Sequence, residues 1–125
     1  MAELTTTGGF QYTFKPEAVL GLTDHDGATA VTCVYGVTAG VVKIAEGVAE
    51  FLIRIGMAGN FAQLTRANGA PIWFNAGAVG GIRAPLPNEY AAAVRSVISA
   101  GSFVQGVAED QAAAKARINA HGGKL

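Results

Sequence analysis

The sequence predicts an α+β fold: a tandem pair of small antiparallel β modules, residues 1–58 and 59–125, each built of hairpins and closed by a short helix. The expected arrangement is one unit with approximate twofold symmetry. Three observations predict it. The two halves resemble each other in sequence, glycine-centred turns separate short β-branched runs, and an apolar stripe at helical spacing closes the first half.

The likeness of the halves begins at Glu3–Leu22 and returns sixty residues later at Gln63–Ile82. Leu4/Leu64, Thr5/Thr65, Gly9/Gly69, Phe14/Phe74, Ala18/Ala78, Val19/Val79 and Gly21/Gly81 coincide without a gap. After a three-residue insertion, Val31/Val94, Val34/Val97, Ala45/Ala108, Glu46/Glu109, Ala49/Ala112, Arg54/Arg117 and Ile55/Ile118 coincide at an offset of 63. The insertion falls where Thr23-Asp24-His25-Asp26-Gly27 gives way to the stretch from Arg83 to Tyr90. Both segments are rich in turn formers, and loops tolerate changes of length.

Within each half the elements follow in order. Phe61–Arg66 and Pro71–Asn75 flank Ala67-Asn68-Gly69-Ala70, and Asn-Gly between apolar runs signals a hairpin; Gly8-Gly9 stands at the same place in the first half. Two further β-rich runs follow, Ala30–Gly36 with Gly40–Ala45 and Ala93–Ser99 with Ser102–Val107, each pair joined through glycine. A helix is expected to start near Glu46 and near Glu109, where an acidic residue suits the positive end of the dipole. Gly56 and Gly122 are placed to stop these helices. Val48, Phe51, Leu52 and Ile55 follow i, i+3, i+4, i+7, with Ile53 and Met57 widening the apolar surface, which suggests burial from two sides. The matching Gln111, Ala114, Lys115 and Ile118 make a thinner stripe, suited to the edge of the fold.

Composition narrows the function. Half the residues are apolar, 14% are charged, and nine basic residues balance nine acidic ones. A nucleic-acid partner is therefore not expected, because such binders need a basic face. The apolar runs are too short to span a bilayer, so no membrane insertion is expected. The N-terminal Met1-Ala2-Glu3-Leu4 lacks a signal-like pattern, which suggests synthesis in the cytoplasm. The single cysteine, Cys33, lies in a β-branched run and reads as a small buried hydrophobe.

At Leu64-Thr65-Arg66-Ala67-Asn68-Gly69, followed by Phe74-Asn75, the second half resembles the small bacterial flagellar proteins called FlbD or SwrD. Val107-Ala108-Glu109 loosely echoes the segment leading into that family's final helix, and Phe14-Lys15-Pro16-Glu17 with Ile44-Ala45-Glu46 gives a weaker match in the first half. The resemblance implies a bacterial accessory or regulatory binding protein and carries over no catalytic residues.

Candidate chemical sites are few. Asp24-His25-Asp26-Gly27 has cation-binding side chains, but its composition suits a solvated turn better. Gly77-Ala78-Val79-Gly80-Gly81 lacks the Lys-Ser/Thr of a phosphate loop and reads as close backbone packing. His121 is expected at a helix end. Tyr12, Phe14, Trp73 and Phe74 would be the aromatics of a base-stacking platform, yet without basic neighbours they read as core or interface. No catalytic, cofactor-binding or metal-binding residue is assigned, and no cofactor or small-molecule substrate is expected. Trp73, Phe51, Tyr12 and Tyr90 are the interface candidates. The expected function is that of a non-enzymatic assembly protein, such as a virion capsid or tail decoration component, whose partner is itself or a larger protein assembly.

Overall fold

The computed structural model describes residues 1–25 and 28–125. Alternation in the first residues places Ala2, Leu4, Tyr12 and Phe14 on one face of a hairpin, β1 (Ala2–Thr5) with β2 (Gln11–Phe14). Its turn uses Gly9 at φ +88°, a conformation that glycine enters without a Cβ penalty. A single 3-10 turn at Pro16–Ala18 leads to β3 (Gly21–His25), β4 (Ala28–Tyr35), β5 (Val41–Ile44) and α1 (Val48–Arg54). The second half runs through β6 (Phe61–Thr65), β7 (Pro71–Asn75), a 3-10 turn at Ala76–Ala78, β8 (Val79–Arg83), β9 (Ser96–Ala100), β10 (Phe103–Val107) and α2 (Gln111–Ala120).

The fold is α+β, with ten strands in three antiparallel sheets and two helices among the described residues. The sheets are β1-β2, β10-β9-β8 and β5-β4-β3-β7-β6. In the largest of them β3 pairs with β7, so a strand from each half stands side by side and the boundary near residue 58 does not divide the sheets. Neither β3 nor β8 is among the strands expected from sequence. Their glycines, Gly21, Gly80 and Gly81, dilute the alternation that marks a strand.

Pairings within one half recur in the other. Leu4 stands opposite Tyr12 and Leu64 opposite Ile72; Leu22 stands opposite Val34 and Ile82 opposite Ile98. These registers correct the expected alignment. Thr32 stands opposite Ile44 as Ser96 stands opposite Val107, so β4 matches β9 at an offset of 64 rather than 63. Val34 thus corresponds to Ile98, not Val97. The extra residue before β9 is given back in its tighter hairpin, where Gly101 turns at φ +58°.

The helices begin later than expected. Gly47 and Asp110 are the N-caps, and the Asp110 side chain accepts from Ala113 N at 2.9 Å, so Glu46 and Glu109 lie ahead of the first turn. Their work is tertiary. Glu46 O accepts from Thr32 Oγ1 and Glu109 O from Ser96 Oγ, each at 2.6 Å. The Glu46 carboxylate takes two hydrogen bonds from Arg54, while Arg54 also donates to Glu3 O. Likewise Arg117 lies 3.6 Å from Glu109 and donates to Gln63 O, tying each helix to the first strand of its own half. Both helices end as expected: Met57 N reaches Leu52 O past Gly56 at φ +76°, and Gly123 N reaches Ile118 O past Gly122 at φ +101°.

Two clusters of the described residues form the core. The first gathers Leu4, Phe14, Leu22, Val34, Ile44, Phe51 and their neighbours; the second gathers Leu64, Ile72, Phe74, Ile98, Phe103 and Ile118. The stripe Val48, Phe51, Leu52 and Ile55 is buried as expected, with Phe51 stacked 6.2 Å from Phe14. Burial from two sides does not occur within the chain, because Ala49, Glu50, Ile53 and Arg54 face outward. On α2 only Ala114 and Ile118 are buried, where the alanine leaves room for the helix to lie against the second core.

The close approach expected at Gly77–Gly81 occurs instead at Gly21. A Cβ at Gly21 would stand 2.0 Å from the Phe103 ring, whereas one at Gly80 or Gly81 would meet nothing within 4 Å. Gly21→Ala is therefore expected to cost about 1–3 kcal/mol through overpacking, and Gly81→Ala less than about 1 kcal/mol. Urea denaturation of the two variants measures both; equal costs would show that Phe103 does not depend on the missing Cβ.

Candidate protein-contact surfaces

The interface candidates do not gather into one patch. Phe51 is wholly buried and belongs to the core, because the helical stripe that carries it is the face turned inward. Tyr12 is half-buried on β2, packed against the first core. Trp73 is half-buried on β7, opposite Leu22 of β3 and Gln63 of β6. Tyr90 is exposed on the connection between β8 and β9.

Trp73 lines a concavity beside α1. Ala49, Leu52 and Ile53 of α1 face Phe61 and Trp73 across a groove of about 400 Å³, with Gln63 and His121 as its polar members. Ile53 is 69% exposed although it is a large apolar residue on a helix. The helical period explains it: with Leu52 and Ile55 turned inward, Ile53 falls on the outer side. His121 caps α2, as expected, and its Nδ1 lies 3.1 Å from Gly59 O, which holds the end of α2 against the segment following α1. The lining is mainly apolar, with Gln63 and His121 as its polar side chains. Phe10, 69% exposed at the β1-β2 turn, is a further exposed large apolar side chain that is not among the interface candidates expected from sequence. Its place beside Gly8-Gly9 at a hairpin tip is the signal that points to it.

Tyr90 is placed by a charged clamp. Arg83, at the end of β8, makes two hydrogen bonds to the Glu89 carboxylate, at 2.7 and 2.6 Å, while Leu86 N donates to the same carboxylate at 2.9 Å. Asn88 takes the left-handed conformation at φ +63°, closing the turn that brings Glu89 back. Tyr90 and Val94 then lie over Gly106 of β10, where a Cβ would approach the tyrosine ring to 3.2 Å.

The other chemical candidates separate. Asp24 and His25 end β3 instead of forming a turn, and Asp26 and Gly27 lie outside the described residues. Among the described residues no group of three or more His, Cys, Asp or Glu side chains is placed to hold a metal ion. Cys33 is buried and free, consistent with its reading as a small hydrophobe. Of the four aromatics considered for base stacking, Phe14 and Phe74 are buried in the two cores. No helix of the described residues is long and apolar enough to cross a membrane. No family model, curated protein or solved structure matches the chain.

The clamp sets a pH expectation. Hydrogen bonding to Arg83 first, and to Leu86 N next, lowers the Glu89 carboxyl to about 2. A depressed carboxyl favours the clamped form above its ordinary value of about 4.3, and that preference is lost as pH falls through the lowered value. Titration of the side-chain carboxyl carbon, followed by NMR, should give a Glu89 midpoint of about 2. A midpoint near the ordinary value of about 4.3 would show the clamp open in solution.

Proposed function

We propose that this chain is a non-enzymatic assembly protein that acts through protein contacts, in the manner of a decoration component of a virion capsid or tail. The observation that carries the reading is the groove between α1 and the sheet, with Ile53 exposed at its rim and Trp73 half-buried in its wall. Apolar side chains in such a setting act as contact anchors, and aromatic ones are over-represented among them. The low charge of the chain supports the same reading, since 14% charged residues leave the surface poorly guarded against association.

In this reading the partner is itself or a larger protein lattice, and α1 presents its outer side to that partner. Leu52 and Phe61 form the floor, and the partner supplies the side chain that fills the space between Ile53 and Trp73. The Arg54 guanidinium, 5.4 Å from the Phe51 ring and bonded to Glu46, stiffens the end of the helix that borders the groove.

Sedimentation at micromolar concentration, alone and with native particles from the source, tests the proposal. The wild type is expected to self-associate or to travel with the particle in many copies. Ile53→Lys, at an exposed position, should keep the circular dichroism of the wild type and lose most of that association. A wild type that stays monomeric and joins no particle would overturn the reading, and unchanged association of the lysine variant would remove the groove from it.

A further inference from the structure

The β3·β7 contact has no counterpart between β8 and β2, although the residues that would form one are present. Gly21, Leu22 and Thr23 of β3 stand opposite Phe74, Trp73 and Ile72 of β7. Sixty residues away in each direction, Gly81, Ile82 and Arg83 occupy the same places on β8, and Phe14, Thr13 and Tyr12 the same places on β2. Among the described residues β8 pairs only with β9, and β2 only with β1. Each therefore has one side whose backbone N–H and C=O groups take no part in a ladder.

Three differences explain why one contact forms and the other does not. The formed contact is plugged by Phe103, whose ring lies 4.4 Å from that of Tyr35 and 5.4 Å from that of Phe74. By ladder register the counterparts of Tyr35 and Phe103 are Ser99 and Gly40, so the second site has neither ring. The buried Asn75 side chain donates to Val19 O and Glu17 O, and its backbone N–H donates to Leu20 O, pinning β7 to the first half. Its counterpart is Lys15, an exposed residue that gives no such anchor. Closing β8 on β2 within one chain would leave the space of two aromatic rings unfilled.

The two edges carry the same register positions as a contact the chain already makes once, though without its two rings. They are also weakly guarded. Arg83 is the only charged residue on either strand, it is held by Glu89, and neither strand contains proline. We propose that the open edge of β8 pairs antiparallel with the open edge of β2 of a second copy of this chain, with Gly81, Ile82 and Arg83 opposite Phe14, Thr13 and Tyr12. This inference rests on the assembly reading and gives it a surface separate from the α1 groove. Tyr12 becomes a contact residue at that edge. The exposed Phe10, at the tip of the β1-β2 hairpin, extends the apolar surface a partner would cover.

Cross-linking tests the contact, because the chain has one cysteine and that one is buried. In a Cys33→Ala background, Thr13→Cys and Ile82→Cys are made as two separate proteins and mixed under mild oxidation. Directly opposed residues of an antiparallel pair lie within disulfide reach. The mixture should yield the Thr13→Cys/Ile82→Cys heterodimer at least tenfold in excess over either homodimer. A heterodimer only about twice as abundant as each homodimer, the statistical outcome of random collision, would overturn the contact. So would a double variant, carrying both cysteines on one chain, that forms only an intrachain disulfide. Association that persists in sedimentation without the heterodimer excess overturns this contact and leaves the assembly reading standing. A chain that is monomeric and joins no particle overturns both.

Discussion

The pairing of β3 with β7 is the constraint on which the rest of the fold depends. It makes one sheet of five strands from two sequence halves, and it fixes which apolar faces meet. A Cβ at Gly21 would intrude on Phe103, so glycine at that one position lets an aromatic from the second half reach across under β3. The ring then touches Tyr35 of the first half and Phe74 of the second. Buried aromatics in tilted contact contribute beyond the area they remove from water. Asn75 adds a polar tie at the end of the same strand pair, where its buried amide donates to two carbonyls of the first half.

Around that seam each half supplies its own local supports. The Glu46–Arg54 and Glu109–Arg117 pairs lie in comparable positions between a helix and the first strand of its half. The Glu46–Arg54 pair is solvent-facing and contributes little, roughly 0–1 kcal/mol, whereas the Glu109 carboxylate is mostly buried and also accepts from Thr65 N and Oγ1. The arginines of both pairs also donate to backbone oxygens of β1 and β6, so their effect is mainly positional, holding each helix over its hairpin. For α1 this orientation turns Phe51 inward and leaves Ile53 at the rim of the groove with Trp73.

Much of the local structure is legible in the amino-acid order. The Val48, Phe51, Leu52, Ile55 stripe marks the buried face of α1 because helical period and burial coincide there. Gly69 and Gly9 mark the hairpins because their left-handed turns suit glycine. What escapes are β3 and β8, whose glycines obscure the strand pattern, and the pairing between halves, which depends on contacts distant in sequence. The helix starts fall later than the charge pattern implies, since Glu46 and Glu109 act through Thr32, Ser96 and the arginines rather than at the dipole. Phe51 resembles an interface residue in the sequence because a large apolar side chain does not reveal which neighbour covers it. The asymmetry of the seams has a visible trace, Phe103 against Gly40 and Tyr35 against Ser99, but its meaning needs the register.

Native-state hydrogen exchange tests the central role of the β3·β7 pairing most directly. The Asn75 amide, which donates to Leu20 O across the halves, and the Leu20 amide, which donates to Tyr35 O within the first half, are the informative pair. If the cross-pairing holds the two halves as one cooperative unit, both amides exchange only with global unfolding, at the same free energy as the core. If Asn75 exchanges at a distinctly lower free energy while Leu20 stays protected, the halves separate without unfolding, and the β3·β7 pairing is not what holds the fold together.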